Sequence, residues 1–309
     1  MSRIFDALQR SGVEQTGVEH PDMLSVATEV FEAARAEKLT DHAPAEQPVV
    51  IQAPLAKASG GGAKAPDQEK TADLLAEFPF LEVSAMPSSR LVFLTAPDSL
   101  AAEKFRFLGV RLRHLRQNRP LKKVLITSTI PEEGKSLVSA NLAGALAQRS
   151  QKVLLIEGDL RRPTLAQQFS LGRLAGLGEW LKGDRHAITN IYRLDGPGFW
   201  LMPAGDPPAN PLELMQSGSL SQLMDRLAPV FDWIIVDSPP LLPLADTTVW
   251  ARMTDGTLLV TREGVTEKRS LQRGLEILKK SDLLGVVLNG CSSADNENYY
   301  QRYSPQRAK

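Results

Sequence analysis

The chain has 309 residues, 42% of them hydrophobic, so it is long enough to bury a sizeable core. Its 36 lysines and arginines equal its 36 aspartates and glutamates, and this balance argues against a nucleic-acid partner. No apolar run reaches the roughly 18 residues of a spanning helix, and the first residues lack the apolar stretch of a signal peptide. The single cysteine excludes an intrachain disulfide framework. We therefore expect a cytoplasmic protein.

Residues 1–90 are predicted to form an N-terminal extension. Apolar side chains recur at helical spacing in residues 2–11 and 23–39, which is typical of short helices. Such helices would dock on another surface or act as an anchor to a partner or a membrane, and the pattern leaves both alternatives open. Residues 43–70 contain four prolines, seven alanines and three consecutive glycines, so they are predicted to be a flexible linker.

A strand or extended segment is predicted at residues 91–94, followed by a helix that begins near Ser99. The next stretch, 124–136, combines a strand, a polar bend and the start of a helix, and it contains Gly134-Lys135-Ser136. In this context the tripeptide predicts a phosphate-binding loop, because N–H groups at a helix N-terminus attract a polyphosphate. The alternative is an ordinary strand-to-helix turn with a solvated lysine.

Three residues of this loop have predicted roles in nucleotide binding. Lys135 would contact the β- and γ-phosphates, Ser136 would ligate Mg²⁺, and Gly134 would let the backbone approach closely. The motif is incomplete, because Thr129 stands where its first glycine is expected. Two neighbouring glutamates would also weaken phosphate binding unless they point away or face the metal. The predicted nucleotide contacts in the loop are Pro131, Glu132, Glu133, Gly134, Lys135, Ser136 and Leu137.

Two further apolar stretches end in carboxylates. Residues 152–156 precede Glu157 and Asp159, and residues 232–236 precede Asp237. Continuous apolar runs are typical of buried parallel strands, whose carboxyl ends share one sheet edge with the ligand. The three acids are therefore expected beside Lys135, and Mg²⁺ needs only one or two carboxylates in addition to phosphate oxygens.

Strands and helices alternate along the remainder of the chain. This order predicts an α/β fold, a doubly wound and mostly parallel sheet flanked by helices. Residues 91–290 are assigned to this nucleotide-binding domain and residues 291–309 to a C-terminal tail. Asn289 ends the last predicted strand, where it either contacts a nucleotide base or forms a turn.

Residues 91–303 resemble the bacterial tyrosine kinases (BY-kinases) of capsule and exopolysaccharide biosynthesis, which are relatives of the MinD/ParA-type P-loop ATPases. The resemblance rests on a Walker A motif at 128–136, a Walker A′ motif at 154–161, a Walker B motif at 234–240 and a Pro-rich segment at 207–214. It implies ATP with Mg²⁺ as the phosphoryl donor. It also implies catalytic roles for Lys135, Glu157, Asp159 and Asp237, metal binding by Ser136 and these three acids, and adenine binding by Asn289.

Two positions depart from the family pattern. Glu157 stands where the family has aspartate, so its extra methylene would misplace the metal or the acceptor, and Glu157→Asp is expected to raise autophosphorylation. BY-kinases also carry a Glu-x-x-Arg-x-x-Arg pattern that joins subunits into a ring. Glu103 and Arg106 match this pattern, whereas the second arginine falls on Gly109.

The tail contains three of the four tyrosines of the chain, which are Tyr299, Tyr300 and Tyr303. The resemblance implies that these tyrosines accept the phosphoryl group. Peptide mapping of the protein with and without phosphatase treatment is the simplest test. The resemblance also implies a homo-oligomer and a separate membrane adaptor of the polysaccharide export system, which would recruit the protein to the inner face of the membrane.

The hypothesis is therefore an ATP-dependent protein-tyrosine autokinase that regulates polysaccharide synthesis and export. One alternative is a MinD/ParA-like regulatory ATPase or nucleotide-switched assembly protein without tyrosine transfer. Against it, no lysine lies near the start of the P-loop, where that class has a signature lysine. A third possibility is a nucleotide-binding scaffold without catalysis, which only Glu157 and Gly109 favour.

Overall fold

The computed structural model describes residues 26–27, 75, 77–83, 90–148, 150–183, 190–279 and 281–291. The predicted helix at 2–11, the predicted linker and the three tail tyrosines lie outside these residues. Within the described residues, no helix is both long and apolar enough to cross a membrane.

The described strands form one sheet in the order β1-β9-β8-β3-β7-β4-β6-β5-β2. All neighbouring strands pair in parallel except β5 and β6, which form an antiparallel pair. The strands are β1 Val26–Ala27, β2 Phe80–Glu82, β3 Lys123–Ser128, β4 Val153–Glu157, β5 Tyr192–Asp195, β6 Trp200–Met202, β7 Trp233–Asp237, β8 Gly256–Arg262 and β9 Leu283–Asn289.

Helices cover both faces of this sheet, which confirms the predicted doubly wound architecture. The described helices are α1 Val92–Thr95, α2 Leu100–Asn118, α3 Lys135–Ala147, α4 Leu165–Gln168, α5 Leu177–Leu181, α6 Pro211–Gln216, α7 Ser219–Leu227, α8 Asp246–Ala251 and α9 Lys268–Leu278. Central strands such as β4 and β7 are buried along their whole length, because successive side chains alternate between two apolar cores. This double burial explains the uninterrupted apolar runs of the sequence.

Three local predictions differ from the structure. Val26–Ala27, inside the predicted helix 23–39, form a strand paired with the edge strand β9. Phe80–Glu82, assigned to the N-terminal extension, form strand β2 beside β5. In both cases pairing with a sheet edge outweighs the local pattern.

The predicted strand at 91–94 is instead the helical turn α1. A buried asparagine of α3, Asn141, holds this turn in place. Its Oδ1 accepts a hydrogen bond from the Val92 N–H at 2.8 Å, and its Nδ2 donates to the Arg90 carbonyl at 3.0 Å. A side chain 49 residues away thus decides the local conformation.

Helix α3 follows the phosphate-binding loop and is packed against α1 through Gly144. A Cβ at Gly144 would lie 2.5 Å from the ring of Phe93. We expect Gly144→Ala to lower the free energy of unfolding by about 1–3 kcal/mol, since overpacking outweighs the gain in helix propensity of about 1 kcal/mol. Urea denaturation measures this change.

The Phe93→Ala variant provides the control. In that background the ring is absent, so Gly144→Ala should become neutral or stabilising. An equal loss of stability in both backgrounds would show that the Phe93 contact is not the cause.

Candidate nucleotide-binding and phosphoryl-transfer site

Gly134 occupies the N-terminal cap of α3 with a φ of 92°, a conformation that favours glycine. A Cβ at this position would lie 2.1 Å from Nδ2 of Asn289. That Nδ2 donates a hydrogen bond to the Glu133 carbonyl at 3.0 Å, whereas Oδ1 is buried and has no hydrogen-bond partner among the described residues. The end of β9 thus lies directly against the phosphate-binding loop, and glycine is needed for this approach.

The two glutamates of the loop have different environments. Glu133 is fully buried, and its carboxylate accepts hydrogen bonds from the Thr129 hydroxyl at 2.8 and 2.9 Å and from the Ile130 N–H at 2.9 Å. The hydroxyl of Thr266, in the loop after β8, also donates to Glu133. Glu132 is exposed and has a φ of 67°. The Glu133 charge is therefore held inside the loop by its own donors, and Thr129, at the missing glycine position, supplies one of them.

Lys135 lies between two carboxylates from neighbouring strands. Its Nζ is 3.0 Å from Oδ2 of Asp159 and 3.9 Å from Oδ2 of Asp237, and it also lies 3.3 Å from the Ser136 hydroxyl. Burial disfavours the charge of Lys135, but Asp237 and Asp159 outweigh this effect and raise the pKa of the lysine. The structure thus brings Lys135, Asp159 and Asp237 together at one edge of the sheet.

Asp237 is buried, with 1% of its surface exposed. Its Oδ1 accepts a hydrogen bond from the Ser139 hydroxyl at 3.2 Å, and its Oδ2 has no hydrogen-bond partner among the described residues. Burial raises the pKa of Asp237, although Lys135 opposes this shift. Within the described part of the chain, Oδ2 has only the longer contact with Lys135, so it is an available ligand for a cation.

Asp159 is held by backbone groups, one of which belongs to Arg161. The side chain of Arg161 forms a second ion pair near the site. Oδ1 of Asp159 accepts hydrogen bonds from the N–H groups of Arg161 and Arg162 at 3.3 and 3.0 Å, which leaves Oδ2 towards Lys135. The Arg161 guanidinium binds both oxygens of Asp246 at 2.7 and 3.2 Å. Asp246 is the first residue of α8. No spacing rule links it to Arg161, which lies 85 residues earlier.

Glu157 makes different contacts from those expected. Its Oε1 accepts hydrogen bonds from the N–H groups of Thr164 and Leu165, both at 2.5 Å, and its Oε2 accepts one from Ala204 at 3.0 Å. Burial raises the pKa of Glu157, and the three backbone donors oppose the shift. Both oxygens are therefore occupied by the backbone, whereas the prediction placed them on a metal ion or an acceptor hydroxyl.

The residues proposed for ring assembly bind one another within the chain. Arg106 pairs with Glu103 on the same helix at 2.5 Å and also donates to the carbonyl of Pro97. Gly109 is buried, and a Cβ there would lie 3.3 Å from a methyl group of Leu146. A larger side chain at position 109 would therefore crowd Leu146 of α3.

The side-chain oxygens of the site suit a metal ion that is also coordinated by phosphate oxygens of a nucleotide. Among the described residues, no group of three or more His, Cys, Asp or Glu side chains could hold a metal alone. Mg²⁺ typically takes one or two carboxylates and completes its shell with waters and phosphate oxygens. Ser136, Asp159 and Asp237 present hard oxygens of this kind at one edge of the sheet.

The comparison with known proteins assigns the family. Over 211 residues the chain is 34% identical to the tyrosine-protein kinase YwqD of Bacillus subtilis, a match that covers 68% of this chain and 89% of YwqD. The chain belongs to the bacterial tyrosine-protein kinases. It is an enzyme of the P-loop type. No family model matches the chain.

Other relatives and solved structures agree with this assignment. The putative tyrosine-protein kinase CapB of Staphylococcus aureus is 31% identical, with 67% of this chain and 92% of CapB covered. The match to the kinase etk of Escherichia coli is 32% identical over 63% of this chain but covers only 27% of that longer protein. The solved kinase domain of ETK gives a TM-score of 0.63 at 31% identity, covering 66% of this chain and 82% of that one. The chimerical protein CapA2B2 gives 0.64 at 28%, with 74% and 100% covered.

The raised pKa of Asp237 has a consequence for the stability of the kinase. A carboxyl whose pKa is higher in the folded state destabilises that state when ionised, and this cost disappears below the unfolded value of about 4. Asp237→Asn should therefore raise the melting temperature of the nucleotide-free kinase by a few degrees at pH 7. The gain should shrink towards zero at pH 4.

Thermal unfolding between pH 4 and 8 measures both effects. Asp225→Asn, on the exposed side of α7, is the matched control and should leave the melting temperature unchanged. A lower melting temperature of Asp237→Asn at pH 7 would mean that the Lys135 pair stabilises more than burial destabilises.

Proposed function

We propose that this kinase transfers the γ-phosphoryl group of ATP, bound with Mg²⁺, to Tyr299, Tyr300 and Tyr303 of a neighbouring copy. The transfer would regulate the synthesis and export of a capsular polysaccharide or exopolysaccharide. The observation that carries the proposal is the position of Lys135, at the start of α3 and between Asp159 and Asp237.

The phosphate-binding loop supplies positive charge in two forms. The N–H groups at the start of α3, from Gly134 to Leu137, bind the phosphates together with the backbone at Pro131 and Glu132. Lys135 exchanges its contact with Asp159 for phosphate oxygens. This exchange frees Oδ2 of Asp159 for the acceptor, while Ser136 and Asp237 can hold Mg²⁺, which neutralises charge on the phosphates.

Transfer to tyrosine requires removal of the phenol proton, since a free phenol has a pKa near 10. Asp159 is the carboxylate that we assign to this step, because its Oδ2 faces Lys135 and not the backbone. The phenol oxygen forms a bond to the γ-phosphorus as the bond to ADP breaks, and the proton passes to Asp159 and then to solvent. Glu157, also predicted to be catalytic and a metal ligand, has both oxygens bound by backbone donors.

Asn289 is proposed to select adenine. Its Nδ2 is engaged by the Glu133 carbonyl, so the free atom of the amide is the acceptor Oδ1. Adenine offers an amine donor at its exocyclic position, whereas guanine offers a carbonyl acceptor there. A buried acceptor without a partner therefore favours ATP over GTP.

The Asn289→Leu variant tests this selection. It keeps the branched shape of the side chain but removes Oδ1 and the Nδ2 contact with Glu133, so the preference for ATP over GTP should fall by about tenfold. Competition of both nucleotides against a fluorescent ADP measures the preference. Gln272→Leu, on the exposed side of α9, should keep the wild-type ratio. An unchanged ratio in Asn289→Leu would place base recognition elsewhere.

The length of the tail is compatible with transfer between copies. Ten residues separate Asn289 from Tyr299, an extended reach of about 33–36 Å. This reach suffices for a tyrosine to enter the site of a neighbour in a homo-oligomer. Glu103 and Arg106 would join such a ring by exchanging their present pair for contacts with the neighbour, beside the exposed Phe107 and Val110.

The proposal also includes a separate membrane adaptor of the polysaccharide export system, which recruits the cytoplasmic kinase to the inner face of the membrane. The balanced charge of the chain favours protein contacts over nucleic acid.

A mixing experiment tests transfer between copies. A Lys135→Met chain cannot neutralise the phosphates, so alone it should lose ATP binding and self-labelling, but wild-type kinase should phosphorylate its tail. The rate of wild-type labelling should rise faster than linearly with protein concentration. Mass spectrometry of wild-type and variant chains that carry tags of different size measures the labelling of each chain and its dependence on concentration.

The matched control carries Phe at positions 299, 300 and 303, and it should bind ATP without becoming labelled. Active, ATP-hydrolysing protein with an unlabelled tail would contradict the proposal and favour the regulatory ATPase. Unchanged ATP affinity in Lys135→Met would contradict the assignment of the phosphate-binding loop.

A further inference from the structure

Glu157 is an acid of the site whose hydrogen bonds all go to the backbone among the described residues. It is 1% exposed, and three of the roughly four lone-pair positions of its carboxylate accept N–H groups. Hydrogen bonds to an ionised carboxylate are about twice as strong as neutral ones. The carboxylate is therefore already solvated by the protein before any nucleotide or acceptor binds.

These three donors belong to two separate segments. Thr164 and Leu165 lie at the start of α4, where N–H groups have no partner within the helix. Ala204 lies in the loop that follows β6. Glu157 itself is the last residue of β4, so its side chain ties a central strand to both segments.

The loop after β6 continues this connection to α5. The Pro203 and Ala204 carbonyls accept hydrogen bonds from the N–H groups of Leu177 and Gly178, both at 2.8 Å. Glu179 of α5 in turn accepts a hydrogen bond from the Asp206 N–H at 2.8 Å. Loss of the Glu157 contact would thus leave this loop held only on its α5 side.

The loop after β6 lies beside the strand that carries Glu157. In the sheet, β6 lies next to β4 on the side away from β8 and β9, where Asn289 lies. The loop after β6 therefore flanks the phosphate end of the site, opposite the proposed base-binding end. We therefore expect an acceptor tyrosine that approaches Asp159 to come close to this loop.

The length of glutamate matches the distances that it spans. Aspartate is shorter by one methylene, about 1.3 Å, so it would not reach both the start of α4 and Ala204 from the same backbone position. Glu157, whose extra methylene was expected to misplace the metal or the acceptor, thus has the length that these backbone contacts require. The backbone around it is rigid, because the Gly158 N–H donates to the Asp237 carbonyl at 2.7 Å and the Gly158 carbonyl accepts from Trp250 Nε1 at 3.2 Å.

We propose that Glu157 is a positioning residue, which fixes Asp159 and the loop 203–206 for the acceptor and touches neither the metal nor the acceptor hydroxyl. The proposal rests on the proposed function of the site as a tyrosine kinase. It reverses the expectation that Glu157→Asp raises activity, because the shorter side chain now breaks contacts instead of restoring a ligand.

Two variants separate positioning from direct catalysis. Glu157→Gln keeps an oxygen for Thr164 and Leu165 but presents an NH₂ group to Ala204, and it cannot act as a base. Glu157→Asp keeps the charge and the basicity but loses reach. A positioning residue predicts a loss of about tenfold or less for Gln and about a hundredfold for Asp. A base or metal ligand predicts the opposite order, with a loss of about a thousandfold for Gln.

The assay uses full-length kinase in which the tail tyrosines are replaced by Phe and a synthetic peptide of residues 292–309 as the acceptor. We expect the KM for the peptide to rise and kcat to fall in Glu157→Asp, while the affinity for ADP with Mg²⁺ stays within about twofold of wild type in both variants. Titration calorimetry over a range of Mg²⁺ concentrations measures this affinity. Its loss in Glu157→Gln would overturn the proposal, because it would identify Glu157 as a metal ligand.

Hydrogen exchange of the backbone amides of residues 204–206 tests this loop contact without any kinase activity. Exchange should be faster in Glu157→Asp than in wild type, with the Gln variant between them. Unchanged exchange in the Asp variant would overturn the proposal even if its activity falls. A Gln variant that does not fold would also overturn it, because two of the three contacts remain. A peptide left unphosphorylated by wild type, with the expected exchange pattern, would instead contradict only the kinase assignment.

Discussion

The buried contact between Lys135 and the acids Asp159 and Asp237 is the constraint on which the site depends. Three central strands must end at one edge of the sheet for these residues to meet, and a parallel sheet covered on both faces provides that arrangement. Charges buried to this degree are tolerated only with partners of opposite sign. In the absence of nucleotide the acids and the lysine are one another's partners, so phosphate and metal replace an existing interaction.

The remaining acids near the site are stabilised in a different way. Glu133 and Glu157 both direct their oxygens to donors of the protein, which are backbone N–H groups and two threonine hydroxyls. Their negative charge is thereby compensated locally, and it does not repel a polyphosphate as a free carboxylate would. The site thus contains two kinds of carboxylate. One kind stabilises loops, and the other, represented by Asp159 and Asp237, remains available to a cation.

The surface of α2 shows how packing restricts a family pattern. Gly109 contacts Leu146 on α3, the helix that begins at the phosphate-binding loop. The position that carries an arginine in the family pattern is here part of the core, and Arg106 is occupied by Glu103 and by the carbonyl of Pro97. Phe107 and Val110 are exposed apolar residues of the same helix, beside the Glu103–Arg106 pair.

The sequence by itself determined the fold class, the phosphate-binding loop and the convergence of Lys135, Asp159 and Asp237. These features depend on short patterns, since an apolar run and the polar residues at its end are adjacent in the chain. Only the tertiary structure decided the direction of individual side chains. Glu157 meets Ala204 and Arg161 meets Asp246, at separations of 47 and 85 residues. Likewise, residues 92–95 form a helical turn held by Asn141, although this segment was predicted to be extended. Such contacts are set by the way distant segments pack, and neither residue type nor spacing encodes which donor a buried carboxylate will find.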